Sequence, residues 1–327
     1  MAISVEDDLF HDPGDDPYWN ESAWFGFNIP ERQISGWVYF YHRPNMRYSV
    51  GGMALWDPSG ANTYDCLYYN MGDTVALPDG AQMYDFSLDN GLSVKCARPM
   101  REYRLSYQAA DIVADLTWTG IMDAHDTGLP AGSEEWGTGH YDQSGRMVGT
   151  VTVAGERYEV DGFSQRDHSW GPRRYRTNPR SDFPWAVASE TSAFQLFAIS
   201  DLPIDDDPVE GTTERVITGW YLRDGEVGSL VSGSRRVVER APDGRPLRVE
   251  LRARDGRGRT LEAEGRCVNW LHWHGYQMYQ WWSLAQWSFD GHRAWGEEQD
   301  LYPFHHSRRF IRSRLENAHD PAAGGNR

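Results

Sequence analysis

One short stretch near the middle of the chain concentrates chemically active side chains. Residues 161–176 read DGFSQRDHSWGPRRYR. The stretch combines a carboxylate, an imidazole, guanidinium groups, an indole and a phenol, carried by Asp167, His168, Arg166, Arg173, Trp170 and Tyr175. A carboxyl group can fix the tautomer of a neighbouring imidazole or protonate an alkene, and a guanidinium can stabilise developing negative charge. These residue types therefore fit general acid–base catalysis.

The same residues also fit a purely structural role. In that interpretation Asp167 pairs with Arg166 or Arg173 at the end of a strand, and Trp170 packs as a plug. Networks of ion pairs produce the same clusters of charged residues as active sites do. The residue types alone leave both interpretations open.

Two histidines in the C-terminal half are candidate metal ligands. His272 and His274 flank Trp273, so on a strand both imidazoles would project to one face. A third ligand would be one of His305, His306 and Glu297. Histidines bonded to backbone groups are also common in β-barrels, and we expect neither a metal nor an organic cofactor.

The segment around these histidines is rich in tryptophan. Residues 270–287 read WLHWHGYQMYQWWSLAQW. Alternate residues of a barrel strand point inward, where they fill a core or line a ligand cavity. Trp273 and Trp282 are therefore candidate walls of a binding cavity, and a role in a plain core remains open for them.

The composition restricts the classes of function. The 327 residues include 48 acidic and 32 basic side chains, a formal net charge of −16, which argues against a nucleic-acid partner. The sequence contains no GxSxG, Walker A, strand-following GxGxxG or HExxH signature. Aromatic residues make up 13% of the chain, and such an excess favours strands and a cavity for flat, apolar ligands.

Cysteines and hydropathy indicate the cellular setting. Cys66, Cys96 and Cys267 are odd in number and form no CxxC pair, which favours reduced thiols. The acidic start MAISVEDDLF is unlike a secretory signal, and no apolar run approaches the roughly 20 residues of a membrane span. We expect a cytoplasmic protein without a membrane span, and aromatic strand edges are consistent with a homodimer.

The elements that must position these groups are strands. Alternating runs rich in β-branched and aromatic residues, separated by Asp-Gly and similar turns, predict about eighteen strands. The absence of alternating helices excludes doubly wound and TIM architectures, and a missing 40- to 50-residue repeat counts against a propeller. Two barrels or sandwich-like halves fit best. The predicted domains are residues 1–178 and 179–315, followed by a disordered tail at 316–327.

The central motif resembles a known family. Residues 139–175, GHYDQSGRMVGTVTVAGERYEVDGFSQRDHSWGPRRY, are similar to the core of bacterial lipocalin-like proteins related to carotenoid 1,2-hydratase (hydroxyneurosporene synthase). A more distant similarity connects them with the calycin-like fungal Diels–Alderases of decalin biosynthesis. The shared pattern is H-x-x-Q, a glycine-rich hairpin and R-D-H-S-W-G-x-R. Two flanks agree with it, DPYWNESAWFGFNIPERQISGWVYFYHRPN at 16–45 and FDGHRAWGEEQ at 289–299.

The resemblance implies a fold and roles for individual residues. The fold would be all-β, with two consecutive lipocalin-like antiparallel β-barrels or half-barrels and a cavity for a hydrophobic small molecule. Asp167 and His168 would act as acid and base, and Arg173 and Tyr175 would orient polar groups of the substrate. Substrate contacts are expected from His140, Gln143, Arg166, Trp170, Trp273, Trp282 and Glu297.

The leading hypothesis is a cofactor-independent enzyme that hydrates, eliminates or isomerises a terpenoid, polyketide or aromatic compound. In an apolar cavity Asp167 would have a raised pKa and keep the proton that an alkene needs, and His168 would activate water. The alternatives are a pericyclase that works by shape and hydrogen bonds, and a non-catalytic carrier or sensor of a hydrophobic ligand. A metal enzyme built on His272 and His274 ranks last.

Overall fold

The fold is known from a computed structural model that describes residues 3–128, 137–174, 180–201, 213–275, 278–304, 308 and 312. Tyr175, the boundary predicted after residue 178, the tail predicted at 316–327, and His305 and His306 lie outside the described residues. Within the described ranges, no helix is long and apolar enough to cross a membrane.

The N-terminal half forms one large antiparallel sheet. Its strands are β1 (Trp19–Ile29), β2 (Ile34–Arg43), β3 (Tyr48–Trp56), β4 (Tyr68–Asn70), β5 (Thr74–Ala76), β6 (Asp85–Ser87), β7 (Leu92–Arg98), β8 (Glu102–Ala109), β9 (Ile112–Gly120), β10 (His125–Asp126), β11 (Gly139–Val153) and β12 (Glu156–Pro172). The strand order is β4-β3-β2-β1-β12-β11-β9-β8-β7-β6, with β5 beside β3 and β10 beside β11. Three short 3-10 helices accompany them at Glu6–Asp8, Pro30–Arg32 and Pro44–Met46.

The C-terminal half forms a second antiparallel sheet. Its strands are β13 (Ser181–Asp182), β14 (Trp185–Ser189), β15 (Ser192–Ile199), β16 (Thr213–Arg223), β17 (Glu226–Arg240), β18 (Pro246–Asp255), β19 (Thr260–Cys267), β20 (Leu271–Gly275), β21 (Met278–Phe289) and β22 (His292–Pro303). The order β22-β14-β15-β16-β17-β18-β19-β21 returns to β22 and closes an eight-stranded barrel. The predicted all-β, lipocalin-like fold is confirmed, with a closed barrel after a large sheet.

Tight hairpins connect the long strands where the sequence predicted turns. Ala154 and Gly155 have φ values of 49° and 84°, Asp224 and Gly225 of 54° and 79°, and Asp290 and Gly291 of 51° and 77°. Two-residue turns with both φ values positive match the right-handed twist of the strands that they join. The described part of the chain has twenty-two strands rather than about eighteen, because five strands of two or three residues escaped the alternation pattern.

The central motif lies within a strand. The sequence suggested that a strand ends at Asp167 and His168, but β12 continues to Pro172 because β1 pairs with it as far as Trp19. Successive side chains of a strand point to opposite faces of the sheet. The residues of the motif are therefore divided between two environments.

The three larger apolar clusters of the described residues lie one inside each sheet and one between the sheets. The cluster between the sheets contains the buried indoles of Trp24, Trp37, Trp56, Trp185, Trp220, Trp273 and Trp282. A polar anchor accompanies it at Asn269, which is fully buried. Its Oδ1 accepts hydrogen bonds from Trp56 Nε1 at 3.1 Å and from the Leu284 backbone N–H at 2.7 Å, and its Nδ2 donates to the Gln33 carbonyl at 2.8 Å.

A buried ionic cluster occupies the interior of the barrel. Arg235 lies at its centre, fully buried, and its Nη1 is 3.2 Å from Asp300 Oδ1 and 3.4 Å from Glu214 Oε2. Glu298 and Asp182 also contact this guanidinium. Buried charges of this kind persist when they are paired with opposite charges. Arg235 shares this role with two other arginines, since Arg180 pairs with Glu214 and Arg240 pairs with Asp300.

Candidate active site between the two sheets

A cavity of about 220 Å³ lies between the two sheets. It is smaller than the roughly 300–1,000 Å³ of typical ligand sites, so it suits a small molecule or one portion of a larger molecule. Seven aromatic side chains line it, from Trp24, Trp37, Tyr39, Phe183, Phe197, Trp273 and Trp282. Such walls favour a flat, apolar ligand.

The N-terminal wall of the cavity carries a compact polar group. Asp167 on β12 lies directly opposite Asp142 on β11 and Trp24 on β1. Ser169, two residues further along β12, lies opposite His140. Residues paired across adjacent strands share a face, as do residues two apart on one strand. The register therefore places Asp167, Asp142 and His140 side by side on the cavity wall.

Hydrogen bonds and ion pairs orient this group. His140 Nε2 lies 3.2 Å from Asp142 Oδ2, and the backbone N–H of Trp24 donates to Asp167 Oδ1 at 3.0 Å. Ligand atoms of His140, Asp142 and Asp167 lie within 4.8 Å of one another. Arg173 also lines the cavity, and its guanidinium donates to the hydroxyl of Ser169. The arrangement holds two carboxyl groups and one imidazole within 4.8 Å of one another.

The surroundings of Asp167 and His140 raise the pKa values of both groups. Removal from water raises the pKa of Asp167 to about 6, although His140 and Arg173 act in the opposite direction. Burial by itself would disfavour charged His140, but the Asp142 carboxylate outweighs that effect and raises the pKa of the imidazole. The result is a carboxylic acid that keeps its proton at mildly acidic pH, beside an imidazole that is stabilised as it gains one.

Asp167 and His168 are not brought together. His168 points away from the cavity into the N-terminal sheet, where its Nε2 lies 3.0 Å from Glu21 Oε2 and both side chains are fully buried. Burial lowers the pKa of this histidine. The acid–base pair predicted from two adjacent residues is therefore separated, because neighbours on a strand face opposite sides.

Three other predicted residues share the inner face with His168. Arg166 donates from Nη1 to Asp8 Oδ1 at 3.1 Å and from Nε to Gln143 Oε1 at 2.9 Å, and both Arg166 and Gln143 are fully buried. Trp170 stacks on His11 with ring centroids 4.1 Å apart. These contacts anchor the N-terminal segment to the sheet. Substrate contacts were predicted for Arg166, Gln143 and Trp170, but these residues do not line the cavity. Their contacts hold the N-terminal segment instead.

The predicted residues of the barrel lie at the cavity. Trp273 and Trp282 stack on each other with centroids 5.7 Å apart, and both line it. Glu297 is buried on the same face of β22 as the lining residue Gln299, whose Nε2 donates to Glu297 Oε2 at 3.0 Å. Burial raises the pKa of Glu297 to about 8. Near pH 7 Glu297 is therefore a neutral acid that orients the side chain of the lining residue Gln299.

The predicted metal pair lies elsewhere. His272 and His274 project from the face of β20 opposite Trp273, and His272 stacks on Trp281 at 4.1 Å, where burial lowers its pKa to about 4. Within the described ranges, neither histidine belongs to a group of three metal-ligating side chains. His140, Asp142 and Asp167 form such a group, as do His11, Glu21 and His168. The first offers one nitrogen and two carboxylate ligands at the cavity.

One protein family matches almost the whole chain. The family described as "Domain of unknown function (DUF7064)" matches residues 4–297. The chain belongs to the DUF7064 family. No curated protein sequence matches the chain significantly.

Solved structures similar to this chain include three that match most of its length. A putative AttH from Nitrosomonas europaea has 17% identity and a TM-score of 0.59, over 93% of this chain and 97% of its own. Kievitone hydratase from Nectria haematococca has 12% identity and a TM-score of 0.55, over 92% and 93%. CghA with Sch210972 has 13% identity and a TM-score of 0.52, over 88% and 89%. These likenesses confirm the predicted fold, which the chain shares with all three proteins.

Sequence reasoning missed several residues of this DUF7064 site. The sequence did contain a pattern that points to Asp142. In HYDQ it follows His140 by two positions, and on a strand this spacing places both side chains on one face. The barrel wall also contributes three glutamines, at Gln195, Gln280 and Gln299. No local pattern marks these glutamines, since they come from three separate strands.

Proposed function

We propose that this protein is a cofactor-independent enzyme that adds water to a carbon–carbon double bond of a hydrophobic small molecule, or removes it, between the two sheets. Asp167 is the acid, and His140, oriented by Asp142, is the base. The observation that carries this proposal is the convergence of these three side chains on one wall of a cavity that seven aromatic side chains also line. The shared fold of a protein named kievitone hydratase supports hydration as the reaction.

The proposed reaction begins with proton transfer. Protonated Asp167 donates its proton to one alkene carbon, which leaves a cation on the other carbon. The π faces of Trp24, Trp37 and Trp282, which line the cavity, stabilise that cation. A water molecule attacks it and gives one proton to His140, whose imidazolium is stabilised by Asp142. The proton returns from His140 to Asp167, so alkene and water become an alcohol, and the reverse order is a dehydration.

This scheme moves the base from His168 to His140. The reason is geometric, because His140 lies on the same wall as Asp167, whereas His168 is buried on the opposite face against Glu21. Arg173 keeps its predicted role as a polar group at the cavity. The substrate is an apolar terpenoid, polyketide or aromatic compound, and free thiols at Cys66, Cys96 and Cys267 support a reducing, cytoplasmic setting.

Product analysis in heavy water tests the proposal. The purified protein is incubated with a panel of prenylated phenols, kievitone among them, and acyclic terpene alcohols, and products are analysed by mass spectrometry. We expect a gain of one water and, in D₂O, one carbon-bound deuterium. The Asp167→Asn and His140→Gln variants should lose at least 100-fold of the rate, because general acid and base groups typically contribute 10²–10⁴-fold. Asp115→Asn, on the exposed face of β9, is the matched control.

Other outcomes would contradict the proposal in distinct ways. A rearranged product of unchanged mass without deuterium would indicate a pericyclase. Tight binding of the panel without any product would indicate a carrier. One equivalent of tightly bound zinc or iron, lost in Asp142→Asn, would indicate that the three side chains hold a metal.

A further inference from the structure

Three glutamine side chains from the barrel line the cavity next to its aromatic residues. Gln195 on β15, Gln280 on β21 and Gln299 on β22 all line the cavity, with 0%, 6% and 7% of their surface exposed. A side-chain amide is uncharged and both donates and accepts hydrogen bonds. Three such groups around one cavity form a polar surface that a ligand can use.

Gln195 is the most informative of the three. Neither its Oε1 nor its Nε2 has a hydrogen-bond partner among the described residues. It lies in register between Trp185 and Trp220, whose buried side chains fill the space on both sides. Buried polar groups are nearly always hydrogen-bonded, so an unpaired amide at a cavity indicates that a bound ligand supplies the partners.

Gln280 and Gln299 are oriented by neighbours. Trp282 Nε1 donates to Gln280 Oε1 at 2.7 Å, which leaves the Nε2 donor of Gln280 for a ligand. Gln299 Nε2 donates to Glu297 Oε2 at 3.0 Å, which leaves the Oε1 acceptor of Gln299 for a ligand. The barrel wall therefore offers donors and acceptors in similar number.

The charged groups at the cavity are of both signs, because Asp142 and Asp167 lie beside Arg173 and His140, so neither an anion nor a cation is favoured by charge. An anion would use the amide donors but leave the acceptors unpaired, and it would face Asp142 and Asp167. A cation would use the acceptors and leave the donors unpaired. A neutral group that donates and accepts, such as a hydroxyl or phenol together with a carbonyl, satisfies all three amides.

We propose that Gln195, Gln280 and Gln299 select a neutral, apolar substrate with a hydroxyl or phenol at one end and a carbonyl at the other. Gln195 is the main specificity residue. The strand β14 separates β15 from β22, so Gln195 on β15 and Gln299 on β22 lie roughly 10 Å apart. The apolar part of the substrate would lie between these two amides. This inference rests on the proposed function, because it takes the cavity as the substrate site.

Equilibrium dialysis with four naphthalene probes tests this specificity. The probes are naphthalene, 2-naphthol, 6-hydroxy-2-acetylnaphthalene and 2-naphthoate, measured on the native protein and on Gln195→Leu. We expect the hydroxy ketone to bind at least tenfold more tightly than naphthalene and 2-naphthoate. In Gln195→Leu this preference should fall below threefold, while naphthalene binds as before or better. Gln108→Leu, on the exposed face of β8, is the matched control and should keep the native preference.

The stability of the variant separates recognition from a structural role. Gln195→Leu removes a buried amide without partners, so its melting temperature should equal or exceed that of the native protein. A clear decrease in melting temperature would show that Gln195 has structural partners and would overturn the inference. An unchanged preference in Gln195→Leu, or tightest binding of 2-naphthoate, would also overturn it. In those cases naphthalene binding still supports the proposed function, whereas failure of all four probes would contradict both.

Discussion

Replacement of Asp167 by asparagine should stabilise this protein at neutral pH. Burial raises the pKa of this carboxyl from an ordinary 3.8 to about 6. A difference of about two pKa units corresponds to about 3 kcal/mol between the protonation states. Asparagine has nearly the same shape, and its Oδ1 can still accept the hydrogen bond from the Trp24 backbone N–H. The variant therefore removes the charge penalty and keeps the contact.

The pH dependence follows from the sign of this shift. The folded protein holds the Asp167 proton more tightly than the unfolded chain does, so between about pH 4 and pH 6 the folded state binds more protons. The free energy of unfolding of the native protein then falls as pH rises through that window. At pH 8 the Asp167→Asn variant should be more stable by up to about 3 kcal/mol, and near pH 4 the two proteins should be nearly equal.

Urea denaturation at pH 4, 5, 6 and 8 measures this effect. Asp115→Asn, an exposed substitution on β9, serves as the control and should change the free energy of unfolding by less than about 0.5 kcal/mol. Equal stability of Asp167→Asn and native protein at every pH would refute the reasoning, because it would show that Asp167 is well solvated in the folded state. Such a result would also remove the basis for a neutral catalytic acid.

Three further predictions concern activity and folding. The scheme needs protonated Asp167, whose pKa is about 6, and neutral His140, whose pKa is raised, so kcat/KM should follow a bell-shaped pH profile; a rate that does not change between about pH 4 and pH 9 would contradict this acid–base pair. Asn269→Leu should lower the free energy of unfolding by about 2–4 kcal/mol in urea, since it leaves buried groups of both sheets unpaired; a loss below 1 kcal/mol would show that its bonds are dispensable. Arg235→Met should cost about 3–5 kcal/mol because it removes the cation that contacts buried Glu298 and Asp182, whereas exposed Arg236→Met should be nearly neutral.

Much of the fold was predictable because its signals are local. Alternation of side chains and Asp-Gly turns depend on residues a few positions apart, and the predicted hairpins at 154–156, 224–225 and 290–291 are present. The strand at the central motif was predicted less well. Its continuation beyond His168 depends on pairing with β1, more than 140 positions away along the chain.

The candidate site was predictable in part. Asp167, His140, Trp273 and Trp282 were expected at a site, and all four line the cavity. The pairing of Asp167 with Asp142 also follows from the sequence, because counting outward from the turn at 154–155 brings them opposite each other. His168 was expected beside Asp167 because the strand was expected to end there; it continues, so these neighbours face opposite sides of the sheet.

The sequence by itself determined the strands, the hairpins and the register of β11 with β12, because these depend on backbone preferences and short-range counting. The tertiary structure alone decided which face of β12 meets the cavity. Both faces of that strand are buried, with Arg166 and His168 on one side and Asp167 and Ser169 on the other, so alternation between polar and apolar residues carries no information there. The face at the cavity is set by the barrel that packs against it, through contacts between residues far apart in the chain.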